Sequence, residues 1–293
     1  MEKIKTYSFQ IDSDIVRNHY DSHSNYLIEY SKNVSKEYCI VYFSSNDIYY
    51  PNNEISFNEN IVQKNRYEWY KTRINIGYKH IFIRDIHKQW LLSGINSTIN
   101  TPQKLLNFLI EETKDYKLIT LGSSAGGFAA VIFGQLLNAE KILTFNGNFE
   151  IRSKLKTSSE SICPLLFRLK DNEELNDWYD SRKFITKAES IYYFQSTRSK
   201  QDILQYRHVE DLRIKRIKFN NSHHGIPFFK TNLPFVLNLT SQELDNLTFK
   251  NIHPLMFSIK ISGFSQTMID LLNIATKKVY KILEIAIRKR IRK

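Results

Sequence analysis

Short apolar runs alternate with amphipathic segments along most of the chain, and each kind of segment predicts one kind of element. The apolar runs end in polar turns, as is typical of strands buried in a parallel sheet. They are YCIVYFSS (38–45), HIFIRD (80–85), KLITLG (117–122), KILTFN (141–146), IYYFQS (191–196) and LRIKRIKF (212–219). Two shorter aromatic runs, YSFQI (7–11) and YLIEYS (26–31), predict an N-terminal hairpin or edge strands.

Helical periodicity occupies the segments between these runs. Thr101 and Pro102 are a helix cap and a first-turn proline, and an apolar stripe follows them. A weaker repeat predicts a helix over 60–76, and the segment 126–137 is apolar on nearly every side, like a helix packed under a sheet. Strands that alternate with helices predict the α/β class, with a mostly parallel central sheet flanked by helices.

Composition divides the chain into a body and a tail. At 293 residues with 42% hydrophobic content, the chain is long enough for one large α/β domain, which we predict over 1–264. A polar stretch at about 150–189 interrupts the alternation and predicts a small helical insert over the sheet. Residues 265–293 predict an amphipathic C-terminal helix. Its apolar positions are Met268, Leu271, Leu272, Ala275, Val279, Ile282, Leu283 and Ala286.

The formal net charge of +12 is concentrated in this tail. Eight Lys or Arg and two acidic residues lie in 265–293, so the tail carries half of the excess. A basic amphipathic helix is typical of segments that associate peripherally with the anionic inner face of a membrane, where each basic residue contributes about 1 kcal/mol. The alternative is a helix whose apolar side packs on the body while its basic end is solvated. Neither interpretation requires nucleic acid as a partner.

The sequence shows no pattern for export or for metal binding. Charges occupy the place where a signal peptide has its apolar region, and no apolar run reaches about 18 residues, so we predict a cytoplasmic protein. Cys39 and Cys163 are the two cysteines, too few for a disulfide framework or a paired-cysteine metal site. Without an H-E-x-x-H spacing either, we predict no metal.

The stretch ITLGSSAGGFAAVIFG (119–134) places a glycine-rich turn between a buried strand and a buried helix. A Walker loop requires a lysine where Phe128 stands, and a dinucleotide fingerprint requires G-x-G-x-x-G where this chain has G-x-x-x-G-G. Gly122, Ser124 and Gly126 do meet G-x-S-x-G, the pattern of a nucleophile elbow, in which small neighbours leave room for a strained serine. A small-residue helix cap is the alternative.

A nucleophilic serine needs a base and an orienting acid, and in a sheet of this kind they follow later strands in the order Ser, acid, His. His223 and His224 follow the last predicted strand, and we prefer His224 as the base, with His223 as the alternative. Asp202 follows the strand IYYFQS and is the preferred acid, with Glu210 and Asp211 as rivals.

Two donors are expected to hold the oxyanion. The N–H of Ala125, at the start of the helix that follows Ser124, is the first. The second is expected in the small polar run Ser44, Ser45 and Asn46 after the first buried strand, with Ser44 and Ser45 as the leading candidates. The glycine triplet of lipases is absent from this run.

With these residues assembled, the chain resembles the α/β-hydrolase superfamily over about 38–235. Within it, the motif LGSSAGG, a strand that ends in IRD followed by Trp90, and the loop SHHGIP resemble serine-dependent O-acetyltransferases of bacterial capsular and surface polysaccharides. The resemblance implies a catalytic domain that takes acetyl-coenzyme A as acyl donor, a sugar hydroxyl of a polysaccharide as acceptor, and an acetyl-serine on Ser124 as intermediate.

Two other functions are compatible with the same residues. A carboxylesterase or deacetylase uses the same triad with water as the acceptor, and the difference depends on how well the insert excludes water. A non-catalytic hydrolase-fold scaffold in a surface-glycan assembly is the second alternative. It would have no need to keep serine, acid and histidine in order.

Overall fold

The computed structural model describes the backbone of residues 6–291 and the side chains of these residues except 274 and 277–291. Its strands are β1 Tyr26–Tyr30, β2 Tyr38–Phe43, β3 Gly77–Ile83, β4 Lys117–Ser123, β5 Lys141–Phe145, β6 Ile191–Ser196, β7 Lys215–Phe219 and β8 Asn251–Ile252. They form one sheet in the order β1-β3-β2-β4-β5-β6-β7-β8. β1 is antiparallel to β3, and all other neighbouring strands in this sheet are parallel.

The α-helices of the described chain vary from single turns to one long C-terminal helix. They are α1 Phe9–Asp12, α2 Asp14–Ser22, α3 Glu54–Phe57, α4 Pro102–Thr113, α5 Ala125–Leu136, α6 Lys154–Thr157, α7 Pro164–Arg168, α8 Glu173–Asn176, α9 Lys200–Arg207, α10 Leu233–Val236, α11 Ser241–Thr248 and α12 Pro254–Ile291. The Thr101 side chain accepts the Lys104 N–H and caps α4, as the sequence predicts.

Helices cover both faces of the sheet, which explains why its strands are continuous apolar runs. Val41 and Phe43 of β2 pack with residues of α4 and α5 on one face. Ile40 and Tyr42, the alternate residues of the same strand, pack on the other face in a cluster that includes residues of α10, α11 and α12. The predicted α/β class and mostly parallel sheet are confirmed.

Two predicted elements are wrong. The segment 7–11 is not part of a hairpin, because the Asp12 carboxylate accepts the Ser8 N–H and closes the helical turn α1. The helix predicted over 60–76 is absent beyond Gln63, where a short π-helix ends. Asn65 and Trp69 adopt φ of 42° and 71°, and such positive values are incompatible with a right-handed helix.

The predicted insert contains the short helices α6, α7 and α8, which share an apolar cluster with α5 and Trp90. The C-terminal helical segment α12 is broken at Gly263, whose φ of 81° and ψ of 163° are not helical. A helical stretch that begins at Pro254 precedes the break, and the helix predicted from 265 follows it. The predicted apolar positions from Val279 onward and the basic positions from Lys277 onward lie outside the residues whose side chains are described. No helix in the described part of the chain has the length and apolar character needed to cross a bilayer.

Candidate active site

Ser124 lies at the sharp turn between β4 and α5. Its φ of 52° and ψ of −116° are strained values for a non-glycine residue and cost about 1–3 kcal/mol. A Cβ at Gly122 would overlap the carbonyl of Gly126, and a Cβ at Gly126 would overlap the carbonyl of Phe43. The two glycines of the G-x-S-x-G pattern are therefore required by close backbone contacts around the serine.

Two residues from later strand ends reach Ser124 and form a hydrogen-bonded row with it. The Nε2 atom of His224, in the loop after β7, lies 2.7 Å from Ser124 Oγ. The Nδ1 atom of the same ring lies 2.7 Å from Oδ1 of Asp202, in the first turn of α9. With Nδ1 protonated, His224 donates to the carboxylate and accepts from the serine hydroxyl. The structure thus brings the three predicted residues together, and their catalytic roles remain predictions.

The carboxylate of Asp202 is completely buried, and His224 is its hydrogen-bond partner. The Asp202 side chain is 0% exposed, whereas that of His224 is 32% exposed. The second carboxylate oxygen, Oδ2, has no hydrogen-bond partner among the described residues. The carboxylate that orients the imidazole is therefore enclosed by protein, while the imidazole itself can be reached by solvent.

Two side chains, those of Asn146 and Ser196, hold the loop that carries His224 by donating hydrogen bonds to its main-chain carbonyls. The Nδ2 atom of Asn146 donates to the carbonyls of His223 (3.3 Å) and Gly225 (2.8 Å), which flank His224 on both sides. Ser196 Oγ also donates to the His223 carbonyl, at 2.6 Å. The His223 ring itself is exposed. The sequence analysis did not identify Asn146 and Ser196, although each is the last residue of a predicted strand.

The rival acids lie elsewhere. Asp211 is exposed, and its two oxygens pair with the Arg182 guanidinium, which holds the pKa of the Asp211 carboxyl below its usual value. Glu210 is exposed beside it in a short 3-10 helix. Asp202 is the carboxylate that contacts His224.

We expect Asp202→Asn to lower kcat by about two to four powers of ten, less than loss of the serine. An asparagine amide at this position favours the wrong imidazole tautomer, while serine and base remain in place. Initial-rate kinetics measures the effect, and Asp211→Asn is the matched control. A wild-type rate for Asp202→Asn, or a comparable loss for Asp211→Asn, would transfer the role to another acid.

The first predicted oxyanion donor is available. Ala125 is the first residue of α5, so its N–H has no acceptor within the helix, and it has no other partner among the described residues. The start of α5 also lies against the end of β2, because Gly126 approaches the carbonyls of Phe43 and Ser44. The run that follows β2 is therefore close to Ala125.

The N–H groups of Ser44 and Ser45 already have other partners. Ser44 N–H donates to the Ile83 carbonyl, as part of the sheet, at 3.1 Å. Ser45 N–H donates to the Glu68 carboxylate at 2.5 Å, and Ser45 Oγ donates to the same group at 3.1 Å. The N–H of Asn46 has no partner in the described part of the chain. Among the main-chain N–H groups of this run, that of Asn46 is therefore available as a donor, whereas those of Ser44 and Ser45 are not.

Glu68 holds this run in place. Its carboxylate binds Ser45 through two hydrogen bonds, and the indole N–H of the next residue, Trp69, donates to the Phe43 carbonyl at 3.1 Å. Burial raises the pKa of the Glu68 carboxyl, although the hydrogen bonds from Ser45 act in the opposite direction. The segment around Glu68 is a second feature that sequence reasoning missed.

We expect Glu68→Ala to lower kcat by about tenfold with little change in KM, because a displaced Asn46 N–H would bind the transition state less well. Glu68→Gln keeps an acceptor for Ser45 N–H and should restore most of the rate. Glu59→Gln, at an exposed carboxylate, is the control. A rise in KM alone, or no rescue by glutamine, would contradict this role.

A turn after β3 supports the elbow from the insert side. The buried Asp85 carboxylate accepts three backbone N–H groups of this turn. The turn carries Trp90, whose indole N–H donates to Asn148 Oδ1 at 3.1 Å, and the Asn148 N–H donates to the Ser124 carbonyl at 3.3 Å. The predicted motif, a strand ending in IRD followed by Trp90, thus contacts the nucleophile turn through Asn148.

The strand order of the sheet and the arrangement of the site together identify the fold. A mostly parallel sheet whose edge strand β1 is antiparallel carries a serine on a strained strand-to-helix turn, and an aspartate and a histidine follow later strands in that order. The chain has the α/β-hydrolase fold.

Comparisons with known proteins give only distant likenesses. No protein-family model matches the chain, and no curated protein matches its sequence. Among solved structures, it is similar to the capsule O-acetyltransferase of Neisseria meningitidis serogroup A, with 13% identity, 78% of this chain and 93% of that chain covered, and a TM-score of 0.48. At these values the likeness assigns no activity.

Two hydrolases of known structure have similarly low sequence identity and TM-scores. An S-formylglutathione hydrolase from Agrobacterium tumefaciens is 11% identical over 76% of this chain and 89% of that chain, with a TM-score of 0.45. Esterase B from Lactobacillus rhamnosis is 10% identical over 69% and 78% of the two chains, with a TM-score of 0.39. The function therefore has to be argued from the site itself.

Proposed function

We propose that the protein is a serine-dependent acyltransferase that O-acetylates a surface or capsular polysaccharide through an acyl-serine at Ser124. The observation that carries the proposal is the hydrogen-bonded row of Ser124, His224 and Asp202 at a strained strand-to-helix turn. The choice of acetyl-coenzyme A as donor and of a sugar hydroxyl as acceptor rests on the resemblance carried by LGSSAGG, IRD with Trp90, and SHHGIP.

In the first half-reaction, Ser124 Oγ attacks the carbonyl carbon of the thioester while His224 Nε2 takes the hydroxyl proton. The carbonyl oxygen becomes an oxyanion, which the N–H groups of Ala125 and Asn46 bind. Asp202 stabilises the imidazolium. The carbon–sulfur bond then breaks, and the departing thiolate receives the proton from His224, which leaves the acyl group on Ser124.

In the second half-reaction, a hydroxyl of the acceptor attacks the acyl-serine carbonyl and gives its proton to His224. The same two N–H groups bind the second oxyanion. When the bond between the acyl carbon and Ser124 Oγ breaks, His224 returns its proton to the serine. The acceptor leaves as an ester, and the enzyme is restored without any other reactant.

Water competes with the acceptor in this second step. The His224 side chain is 32% exposed, so solvent can approach the base from one side. An esterase or deacetylase would use the same residues in the same order, with water as the physiological acceptor. The two functions therefore differ in which acceptor attacks the acyl-serine faster, a sugar hydroxyl or water.

The test is to incubate the protein with acetyl-coenzyme A and to determine the mass of the quenched protein and of its Ser124 peptide. Thiol release is then followed with and without candidate polysaccharides, and the glycans are analysed for added acetyl groups. We expect an acetyl adduct on Ser124 that disappears when the correct acceptor is added, together with faster thiol release.

Each alternative has its own signature in this experiment. Turnover of simple esters without transfer to any glycan would favour an esterase or deacetylase. Absence of an adduct, combined with no labelling by a serine-directed phosphonate, would favour the scaffold and would overturn the proposed function.

A further inference from the structure

Four large apolar side chains lie exposed along one side of α12, and we call them the outer apolar face. They are Phe264, Met268, Ile269 and Leu272, which are 64%, 40%, 51% and 62% exposed. Positions 264, 268 and 272 are four residues apart, so their side chains lie on the same side of the helix. Contiguous apolar surface of this kind marks an interaction site in a folded protein.

The opposite side of this helix is attached to the body by polar residues. Thr267 is 0% exposed and Asp270 is 5% exposed. The Asp270 carboxylate accepts a hydrogen bond of 2.6 Å from Thr231 Oγ1, in the segment that follows the His224 loop. A surface helix ordinarily buries its apolar side and exposes its polar side. α12 has the reverse arrangement over these residues, so its apolar side is available to a partner.

A groove lies beside the first stretch of α12, which precedes the break at Gly263. The groove has a volume of about 490 Å³ and lies among α10, α11, β8 and the start of α12. Met256 and Phe257 contribute apolar lining, and Lys250 and Lys260 lie exposed at its margin. Phe249, next to Lys250, is 85% exposed. Apolar side chains, two lysines and Glu243 thus line this groove, and a mixture of apolar and basic residues is typical of segments that bind anionic lipid.

We propose that the outer apolar face of α12 and the adjoining groove bind an anionic lipid surface. The sequence favours this partner, because residues 277–293, which lie beyond the described side chains, contain eight Lys or Arg and one acidic residue. Apolar side chains enter the boundary between headgroups and acyl chains, and the basic residues remain among the anionic headgroups. This inference does not depend on the acyltransferase proposal, since it uses none of the catalytic residues.

The test uses the full-length protein with vesicles of phosphatidylcholine alone and of phosphatidylcholine mixed with phosphatidylglycerol. Flotation gives the bound fraction over a series of salt concentrations. We expect binding to the anionic vesicles at low salt, a loss of binding as salt rises, and little binding to the neutral vesicles. The double substitution Met268→Ser and Leu272→Ser should weaken binding by about tenfold or more.

Ile55→Ser is the matched control, because Ile55 is 79% exposed on α3, outside this surface. It should bind vesicles like the wild type, and all variants should retain turnover of a small soluble ester and the wild-type melting temperature. Failure of the wild type to bind anionic vesicles at low salt would overturn the proposal. So would a double variant that binds normally but changes from dimer to monomer, because the face would then join two copies of the chain.

Discussion

Ser124→Ala is expected to abolish turnover, by about four or more powers of ten, while the fold remains intact. The substitution removes a single hydroxyl whose side-chain partner is His224, and alanine retains the small size that the turn requires. The oxyanion donors and the base remain, so only a small residual rate is expected. Thiol release from acetyl-coenzyme A, and ester hydrolysis as a second assay, measure the loss.

Ser123→Ala is a close control for this experiment. Ser123 is the neighbouring residue at the end of β4, is equally small, and is not the serine to which His224 is hydrogen-bonded. It should retain activity within about tenfold of the wild type, because it is not part of the reacting row. If Ser124→Ala itself retains activity within that range, Ser124 is not the nucleophile and the acyl-serine mechanism is wrong.

His224→Ala is expected to be as damaging as the serine substitution, because residues that act as one unit lose most of their effect when any one of them is removed. His223→Ala should be much milder. The backbone carbonyl of His223 is held by Asn146 and Ser196, and alanine keeps this carbonyl, while the exposed His223 ring is lost without consequence for the row.

The two histidine variants should be compared in the same assay and by thermal unfolding. A larger loss of kcat in His223→Ala than in His224→Ala would place the base at His223. Added imidazole gives a further comparison, because a small base can enter the space left at position 224. It should restore part of the rate to His224→Ala and none to Ser124→Ala.

The parts of the site that the sequence predicts are those with a local signature or a fixed place in the topology. Gly122 and Gly126 identify the elbow because both lie two residues from Ser124, so the pattern is visible in the sequence itself. His224 and Asp202 are predictable because parallel strands place their carboxyl ends along one edge of the sheet. The sequence does not decide between His223 and His224, because that choice depends on the tertiary contacts that hold the loop following β7.

Long-range contacts account for what the sequence does not predict. The N–H of Ser45 has the wrong partner for an oxyanion donor only because Glu68, 23 residues away, binds it. Nothing local to Asn46 reveals that its N–H remains available. The helical stretch before Gly263 is different, because Pro254 is a typical first-turn residue and marks the start of this stretch in the sequence.

The buried Asp202 carboxylate also links the active site to the heat resistance of the protein. Its side chain is 0% exposed, and burial of a carboxylate costs folding free energy that its hydrogen bonds have to offset. Selection for a higher melting temperature alone would therefore act against aspartate at position 202, and packing elsewhere in the fold has to offset the instability of this site.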